Sequence, residues 1–423
     1  MIKALKGSSF KNYSYSFVGN FLSSFSQWVI FSLIAKKYGT GSMGVFSLAQ
    51  AWILPLFAFF TFQLRNMHVS DQEDQYGLPV MFTTRIIGDA LFLLIVIFIG
   101  LFFYQSSVGI FVSLGVAKFF EMISDIIHAE FQKQKKHFIY GRRLTVRSIL
   151  SIALAALSFQ FIQSFELALL SLPLAYFISL VMDFYYLKKE IGHLDIFSGN
   201  KTLLRQMLIT GGITGLSLLL VYLLPNIPRF LLEKYAGSHE LGLFAGYFYL
   251  IIFSRIFIQS IVQNSLPSLA AYLSKGEKGK FMRLVRKELL FVLVLGLMQF
   301  ILVPISDFVF PLLYNKDFTG NKTLLTIIFA GSVFSFLAFS LNNVLNAMKY
   351  FRMQFPVYLA LVLFCLGCGY LLISRSGVEG AAYTFLLTSI MQCILLLIPI
   401  YFGLKRTRPV KEAAIKEPVL VEQ

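Results

Sequence analysis

The sequence alternates between long apolar segments and short polar segments from one end to the other. Each apolar segment holds about 20 mostly hydrophobic residues, the length that a helix needs to cross the hydrocarbon core of a bilayer. The strands of a membrane barrel are about half as long and alternate polar with apolar residues, which these segments do not. We therefore predict an all-α integral membrane protein with twelve transmembrane helices. The predicted spans are residues 13–35, 43–64, 80–104, 107–131, 144–163, 166–187, 206–224, 241–266, 288–306, 323–348, 354–373 and 378–404.

The composition agrees with lipid as the main solvent of the folded chain. Hydrophobic residues make up 57% of the sequence and charged residues 14%, whereas soluble domains average about 25% charged residues. A soluble fold of this length keeps much of its surface in water and would leave large apolar areas exposed. The composition therefore argues against a soluble protein.

The charged residues predict the orientation of the chain. The formal net charge is +16, and the Lys and Arg residues lie mainly between the apolar segments. With the N-terminus in the cytoplasm, 28 of the 37 Lys and Arg residues fall on the cytoplasmic side, 7 on the outer side and 2 within spans. This bias satisfies the positive-inside rule and favours an even number of spans. We predict a multi-pass protein of the cytoplasmic membrane with both termini in the cytoplasm, contacts to anionic lipid, and no nucleic-acid partner.

A short internal repeat suggests two similar halves. Residues 37–39 (Lys-Tyr-Gly) precede 44–46 (Gly-Val-Phe), and residues 234–236 (Lys-Tyr-Ala) precede 242–244 (Gly-Leu-Phe), at an offset of about 197 residues. Two six-helix halves in the same orientation would be related by a parallel pseudo-two-fold repeat. The predicted division is an N-terminal lobe at 1–195, a C-terminal lobe at 196–404 and a cytoplasmic tail at 405–423.

The fourth span carries an unusual stripe of polar residues. Lys118, Glu121, Asp125, His128 and Gln132 fall within roughly 80° of one another on a helix. A charge at the centre of a bilayer costs at least ~2.5 kcal/mol, so such residues usually face an interior cavity. We predict that this stripe lines a hydrated cavity. The alternative is a buried ion-pair network that only holds the helices together.

Other spans carry shorter polar stripes. In the eighth span, Arg255 and Gln259 share one face, and Arg255 lies too deep to reach the headgroups easily. In the first span, Asn20 lies on a polar face that either joins helices by hydrogen bonds or binds sugar hydroxyls. In the third span, Arg85 and Asp89 lie near the predicted cytoplasmic end, where extension to the headgroups is an alternative to a functional role.

These stripes predict the chemistry of the cargo. Lys118 and Arg255 are cationic points in opposite halves of the chain, and such groups bind phosphates through charge-assisted hydrogen bonds. The sequence contains no Walker loop, no H-E-x-x-H and no G-x-S-x-G motif, and its five His residues show no metal-ligand spacing. We therefore expect a transporter of an anionic, hydroxyl-rich molecule, without a metal, a cofactor or an ATPase of its own.

The chain resembles the polysaccharide (O-antigen type) flippases of the multidrug/oligosaccharidyl-lipid/polysaccharide exporter superfamily. The twelve-span plan in two halves covers nearly the whole chain. Residues 35–39 (Ala-Lys-Lys-Tyr-Gly) and 44–48 (Gly-Val-Phe-Ser-Leu) look like the family's segment between spans one and two. Residues 64–71, with Leu-Arg-Asn and Val-Ser-Asp, are similar to a motif at the end of its second span. The segment 118–147 is similar to its fourth span and following loop.

The resemblance implies a V-shaped pair of six-helix lobes that work by alternating access. The cargo would be an undecaprenyl-pyrophosphate-linked oligosaccharide moved from the inner to the outer leaflet for surface polysaccharide synthesis. Coupling to a proton or sodium gradient and contact with polysaccharide assembly proteins are implied as well. The resemblance suggests Arg65, Lys118, Glu121, Asp125 and Gln132 as cavity residues, and the stripes add Arg255, Gln259 and Asn20.

Two alternatives stay open at the level of the sequence. A cation-coupled drug or small-solute exporter of the same superfamily would need an acidic, largely apolar pocket, whereas the stripes predict a mixed to cationic one. A membrane-embedded glycan polymerase or ligase is an alternative of another class. Such enzymes generally carry a large outer loop with acidic, Arg or His residues, and this sequence has no such loop.

Overall fold

The computed structural model describes residues 2–71, 73–192 and 196–406, and every regular element in these ranges is helical. The predicted all-α class is confirmed. The predicted tail beyond residue 406 and residues 193–195, at the predicted boundary between the lobes, lie outside these ranges. The helices are α1 (Ile2–Phe60), α2 (Leu64–Ser70), α3 (Gly77–Phe103), α4 (Val108–Lys133), α5 (His137–Phe161), α6 (Phe165–Leu169), α7 (Ser171–Ile191), α8 (Lys201–Leu223), α9 (Ile227–Ser274), α10 (Lys278–Met298), α11 (Ser306–Leu313), α12 (Lys322–Ala347) and α13 (Phe351–Arg406).

Three long helices, α1, α9 and α13, are each interrupted by one glycine. Gly39 (φ 84°, ψ 173°), Gly237 (φ 83°, ψ 176°) and Gly377 (φ 50°, ψ −125°) adopt backbone angles that a side chain would strain. Side chains before and after each glycine contact each other, so each long helix is a hairpin of two helices. The contacts that close the three hairpins are Phe31 with Phe46, Arg229 with Phe248, and Tyr358 with Gln392.

Seven helical stretches in the described part of the chain are long and apolar enough to cross a membrane. An eighth results if Lys278–Leu302 and Ser306–Leu313, which meet at 87°, form one bent span. The three stretches that contain the hairpins are 56, 51 and 53 residues long. Since one crossing takes about 20 residues, each of these three is long enough to cross twice.

Helices α1 and α9 cross at two facing glycines. A Cβ atom added to Gly44 would lie 1.8 Å from the carbonyl oxygen of Ser238, and one added to Gly242 would lie 2.1 Å from that of Thr40. Small residues four apart on each helix allow this close approach, as in other membrane helix pairs. We call this contact the glycine crossing. The contact is reciprocal, because each glycine packs against the residue four positions before the glycine of the other helix.

Polar contacts reinforce the bundle at the end that contains Gly39, which we call the Gly39 end. The Oγ1 of Thr40 donates to Asp317 Oδ2 at 2.5 Å, and Asn315 Nδ2 donates to the same hydroxyl at 2.8 Å. The indole nitrogen of Trp28 donates to the hydroxyl of Tyr314 at 3.0 Å. These bonds tie α1 to the segment between α11 and α12, so the two halves of the sequence are held together at this end.

The opposite end of the bundle contains the loop between α2 and α3. Lys133 Nζ lies 2.6 Å from Asp74 Oδ1 and ties this loop to α4. The carboxylate of Asp71 accepts hydrogen bonds from the backbone N–H groups of Gln75 and Tyr76, at 3.0 and 3.1 Å. Asp71 therefore fixes the turn that leads into α3.

Replacing Asp71 with Ala is expected to speed amide hydrogen exchange at Gln75 and Tyr76 at neutral pH. Partial burial raises the pKa of Asp71, but the two N–H donors outweigh this effect and hold the pKa below its ordinary value. The ionised carboxylate therefore stabilises the turn above the unfolded pKa of about 4, and this contribution is lost as the pH falls through the lowered folded pKa. Hydrogen-exchange mass spectrometry, corrected for intrinsic rates, should show faster exchange in the wild type only below that point.

The matched control for this experiment is Glu73→Gln. The Glu73 carboxylate accepts from the side-chain amide of Gln75 at 3.1 Å and holds neither backbone N–H group. Its exchange pattern should match the wild type. An equal rise in both variants would show that charge in the loop, and not the Asp71 hydrogen bonds, protects these amides.

Candidate functional site

A central cavity of about 510 Å³ lies between helices from both halves of the sequence. Helices α1, α4 and α7 line it on one side, and the α8–α9 segment, α12 and α13 line it on the other. The structure places Lys118, Arg255 and Gln259 in this cavity, so residues predicted from opposite halves come together there. Further polar residues of its lining are Ser24, Gln27, Gln50, Tyr176, Asn226 and Ser335.

Two arginines of the central cavity have no carboxylate partner among the described side chains. The guanidinium of Arg255 lies 5.0 Å from the ring centre of Phe339, and that of Arg229 lies 5.3 Å from Phe248. Arg229 is only 3% exposed, and its Nε has no hydrogen-bond partner in the described residues. The cavity therefore contains positive charge that the described protein does not neutralise.

The role of Arg229 was not predicted from the sequence, because the seventh predicted span ends at residue 224 and Arg229 lies beyond it. Pro225 and Pro228 directly follow that predicted end, where proline either ends or kinks a helix. In the structure a 3-10 turn at Leu224–Asn226 leads directly into α9, with Pro228 in the first helical turn. Proline is well tolerated there, because the first N–H groups of a helix have no intrahelical partner. The helix therefore continues past the prolines and carries Arg229 into the cavity.

A second, smaller cavity of about 310 Å³ lies on the α2 side of the central cavity. Its lining comes mainly from α1, α2, α4 and α5, in the first half of the sequence. Four predicted site residues, Asn20, Arg65, Glu121 and Asp125, line it. The two cavities share an ionic network, since Lys118 of the central cavity pairs with Glu121 of the second.

The predicted N-terminal residues are joined by a chain of contacts. Arg65 lies 2.5 Å from Asp125 Oδ1 and donates through Nε to Gln132 Oε1 at 3.3 Å. Its guanidinium also lies 5.0 Å from the ring centre of Tyr140, whose hydroxyl donates to Asn20 Oδ1 at 3.0 Å. The structure thus brings Asn20, Arg65, Asp125 and Gln132 together, although they come from separate parts of the sequence.

A second branch of the network connects α4 to α5. Glu121 lies between two cations, with Lys118 Nζ at 2.6 Å and Arg147 at 3.3 Å. The guanidinium of Arg147 lies 5.1 Å from the ring centre of Tyr176, which lines the central cavity. The carboxylate neutralises part of the charge of Lys118, so Arg229 and Arg255 are the cations most available to an anionic ligand.

Arg85 and Asp89 do not extend toward the headgroups. Both side chains are fully buried, and Arg85 lies 3.9 Å from Asp89 and 3.5 Å from Asp125. The alternative of extension to the headgroups is therefore wrong for this pair, because α3 turns this face toward α4. Arg85 adds a second cation to the carboxylate that Arg65 also contacts.

The His128 end of the α4 stripe serves the packing of the bundle. Asp183 of α7 is fully buried and lies 2.6 Å from Arg143 and 3.3 Å from His128. A lone aspartate in an apolar segment gave no signal of these partners in the sequence. Lys118, Glu121, Asp125 and His128 of the stripe all line a cavity, and His128 is also part of a buried ion-pair cluster.

Replacing Asp183 with Asn is expected to lower the free energy of unfolding by about 3–5 kcal/mol. The change leaves Arg143 charged and buried without its carboxylate, which is the costly way to break a buried pair. Thermal unfolding of the purified protein in detergent measures the loss. The control is Glu190→Gln, which breaks a partly exposed pair with Lys136 and should cost less than about 1 kcal/mol. Equal losses would contradict a special role for the buried cluster.

Chemically, the central cavity suits an anion with apolar and hydroxyl-bearing parts. Arginine donates bidentate, charge-assisted hydrogen bonds to phosphate oxygens. The rings of Phe248 and Phe339 beside the arginines offer flat apolar surfaces, while Gln50, Asn226 and Gln259 offer donors and acceptors for hydroxyl groups. The site thus contains binding groups from both halves of the sequence.

No protein-family model matches the chain. The capsular polysaccharide biosynthesis protein CapF of Staphylococcus aureus is 26% identical over 401 residues, which cover 94% of this chain and 99% of that protein. Among solved structures, the lipid II flippase MurJ in an inward closed conformation matches with a TM-score of 0.68 and 15% identity, over 92% of this chain and 88% of MurJ. A point mutant of the MATE transporter VcmN of Vibrio cholerae matches with a TM-score of 0.65 and 16% identity, over 95% and 98% of the two chains.

These similarities extend over nearly the full length of the chain. The two solved structures, one of a MATE transporter and one of a flippase, have the same helical membrane fold, and none of the three proteins is named as an enzyme. The chain is therefore a multi-pass membrane protein with the helical transporter fold that MATE proteins and MurJ share, which is the all-α membrane fold expected from the sequence.

Proposed function

We propose that this protein is a flippase that moves a polyprenyl-pyrophosphate-linked oligosaccharide repeat unit across the cytoplasmic membrane for surface polysaccharide synthesis. The observation that carries the proposal is the central cavity, where Arg229 and Arg255 lack carboxylate partners among the described residues. The name of the Staphylococcus aureus relative refers to capsular polysaccharide biosynthesis, and MurJ is named as a flippase for lipid II. The first name supports a saccharide cargo, and the second supports a lipid-linked one.

We further propose twelve crossings in two six-helix lobes, with the division at residue 195 and both termini in the cytoplasm. Each of the three stretches with a hairpin would count twice, and α4 and the bent α10–α11 pair would add one crossing each. The near-identical backbone angles of Gly39 and Gly237, at positions 198 residues apart, support a parallel repeat. The excess of Lys and Arg in the loops assigned to the cytoplasm supports this orientation, with the Gly39 end outside.

In the proposed mechanism, the sugar-pyrophosphate head enters from the cytoplasmic side while the polyprenyl tail stays in lipid. Arg229, Arg255 and Lys118 replace the water that solvates the phosphates, and the aromatic and amide side chains of the cavity contact the sugars. The glycine crossing and the Asp317 contacts keep the Gly39 end shut during loading. The head leaves when the lobes separate at that end and close at the other, driven by a proton or sodium gradient.

The location of lipid-linked precursor in a deletion strain tests this function. Loss of the protein is expected to leave complete repeat units trapped on the inner leaflet, which an impermeant glycosidase or lectin added outside does not reach. Polysaccharide assembly proteins then lack their outer substrate, so surface polymer disappears. Precursor that still reaches the outer leaflet but yields short polymer would indicate a polymerase, and normal polymer with increased drug susceptibility would indicate a drug exporter.

A further inference from the structure

A buried carboxyl group lies outside both cavities. Glu288 of α10 is 5% exposed and is enclosed by α9 and α12. The hydroxyl oxygen of Ser265 is in hydrogen-bond contact with its Oε2, and that of Ser340 is in contact with its Oε1. The same three helices supply an apolar core around this group, with Leu269, Val285 and Leu341.

No cation neutralises Glu288 in the described part of the chain. No described Lys, Arg or His nitrogen lies within 4.0 Å of its carboxylate, and the faces of α9 and α12 that contact it present hydroxyl and amide groups. On its own helix, Arg286 and Lys287 are exposed, while Arg255 of α9 faces the central cavity. An ionised carboxylate in such a place costs several kcal/mol, because neither water nor a counter-charge compensates it.

The polar groups around Glu288 can all form hydrogen bonds whether its carboxyl group is neutral or ionised. In the neutral state, the carboxyl O–H donates to Ser265 Oγ, and the serine donates in turn to the carbonyl oxygen of Val262 at 2.8 Å. In the ionised state, the serine proton turns to Glu288, while Val262 keeps the bond from Asn343 Nδ2 at 2.8 Å. One proton leaves to water, one O–H bond breaks, and no polar group loses its last partner.

The two partner helices of Glu288 also form part of the central cavity. Ser340 directly follows Phe339, whose ring lies beneath the guanidinium of Arg255 at 5.0 Å. Ser265 follows Gln259 on α9 by less than two turns. A charge that forms between α9 and α12 therefore acts on the helix pair that positions the Arg255–Phe339 contact.

We propose that Glu288 is the proton-binding site that couples the transport cycle to the proton gradient. The proposal rests on the proposed flippase function. A proton fits the site better than a metal ion, because the two serine hydroxyls contact the carboxyl oxygens directly and leave no space between them. Loading a proton keeps α9 and α12 together, and its release introduces a buried charge that favours their separation.

Infrared spectroscopy of the purified protein tests proton binding without any substrate. At about pH 7, where exposed carboxyl groups are ionised, the wild type is expected to show a protonated-carboxyl C=O band that Glu288→Gln lacks. The control Asp307→Asn removes an exposed carboxyl that lies 2.9 Å from Lys322 and should leave the band unchanged. Spectra of the wild type and Glu288→Gln that do not differ in this band would overturn the assignment.

Two further measurements do not depend on the folding of Glu288→Gln. Ser340→Ala removes a hydrogen bond to the protonated carboxyl and is expected to move the band to higher frequency. An unmoved band would show that Ser340 does not contact the protonated group, contrary to the proposal. Sodium chloride added to the wild type at constant pH should leave the band in place, and its disappearance would mean that Na⁺ and not a proton occupies the site.

Coupling itself is measured in proteoliposomes with a fluorescent polyprenyl-pyrophosphate sugar. A gradient of one pH unit supplies about 1.4 kcal/mol per proton, so wild-type flipping should rise up to roughly tenfold. Glu288→Gln should flip at the same rate with and without the gradient, and a full response in this variant would refute the coupling role. A wild type that neither binds nor flips the probe would refute the flippase function, while the infrared result would still decide where the proton binds.

Discussion

Replacing Arg255 with Gln is expected to weaken binding of a polyprenyl-pyrophosphate probe by roughly 30-fold. The arginine lies in the central cavity against Phe339, and no described carboxylate neutralises it. Its hydrogen bonds to a phosphate are therefore available in full, and a bond between charged groups contributes about 2 kcal/mol. Since each 1.4 kcal/mol is a tenfold change, the loss is measurable by fluorescence titration of the detergent-purified protein. Flipping in proteoliposomes should fall by a similar factor at low probe concentration.

The matched control is Arg286→Gln, which removes the same charge from an exposed position on α10 outside both cavities. Binding by this variant should equal that of the wild type. Equal losses of affinity in both variants would show that only the net charge of the protein matters. Unchanged binding by Arg255→Gln would show that the phosphate does not bind in the central cavity. Arg229→Gln offers an independent measurement of the same kind, because this arginine also lacks a described carboxylate partner.

Replacing Gly44 with Ala is expected to open the Gly39 end of the transporter. The added methyl group would lie 1.8 Å from the carbonyl oxygen of Ser238, so α1 and α9 have to separate at the glycine crossing. Overpacking of this kind costs about 1–3 kcal/mol in the closed state. The equilibrium should therefore shift toward the state that is open at this end by roughly 5- to 150-fold. With the Gly39 end outside, as proposed, labelling of Ser24→Cys in the central cavity by an impermeant maleimide added from outside reports the change.

The control for Gly44→Ala is Gly41→Ala, one turn earlier on the same helix. No atom lies within 4 Å of the position that its Cβ would take, so the labelling rate should stay at the wild-type value. Both variants are compared in a background in which Cys365, Cys368 and Cys393 are replaced by Ala. Slow labelling of Gly44→Ala, at the rate of its control, would show that the glycine crossing does not close this end.

The polar stripe of α4 shows what the sequence was able to predict. A charged residue in an apolar helix is costly wherever it lies, so Lys118, Glu121 and Asp125 marked the cavity wall without any knowledge of their neighbours. The length of the apolar segment likewise placed the fourth span at 107–131, close to the observed Val108–Lys133. Local signals of this kind depend only on residues within a few turns of one another.

Contacts between side chains of different helices could not be predicted from the sequence. Arg65 and Asp125 are 60 residues apart, and only the packing of α2 on α4 brings them within 2.5 Å of each other. The ninth span was predicted to begin at residue 288, whereas α10 already begins at Lys278 and carries Glu288 in its interior. Three basic residues between Lys278 and Lys287 made the first turns of this helix resemble a loop in the sequence. In the structure their side chains are exposed, so these residues are compatible with a helix.

The two unneutralised arginines also bear on what an unloaded transporter does. With no anion present, closing both ends would confine like charges in a space shielded from water, where their mutual repulsion is strong. A bound pyrophosphate removes that penalty. Under the proposed function, the intermediate that is closed at both ends forms most easily with cargo bound. The two arginines would then limit cycling without cargo and, with the proposed coupling to a gradient, the ion leak that such cycling would cause.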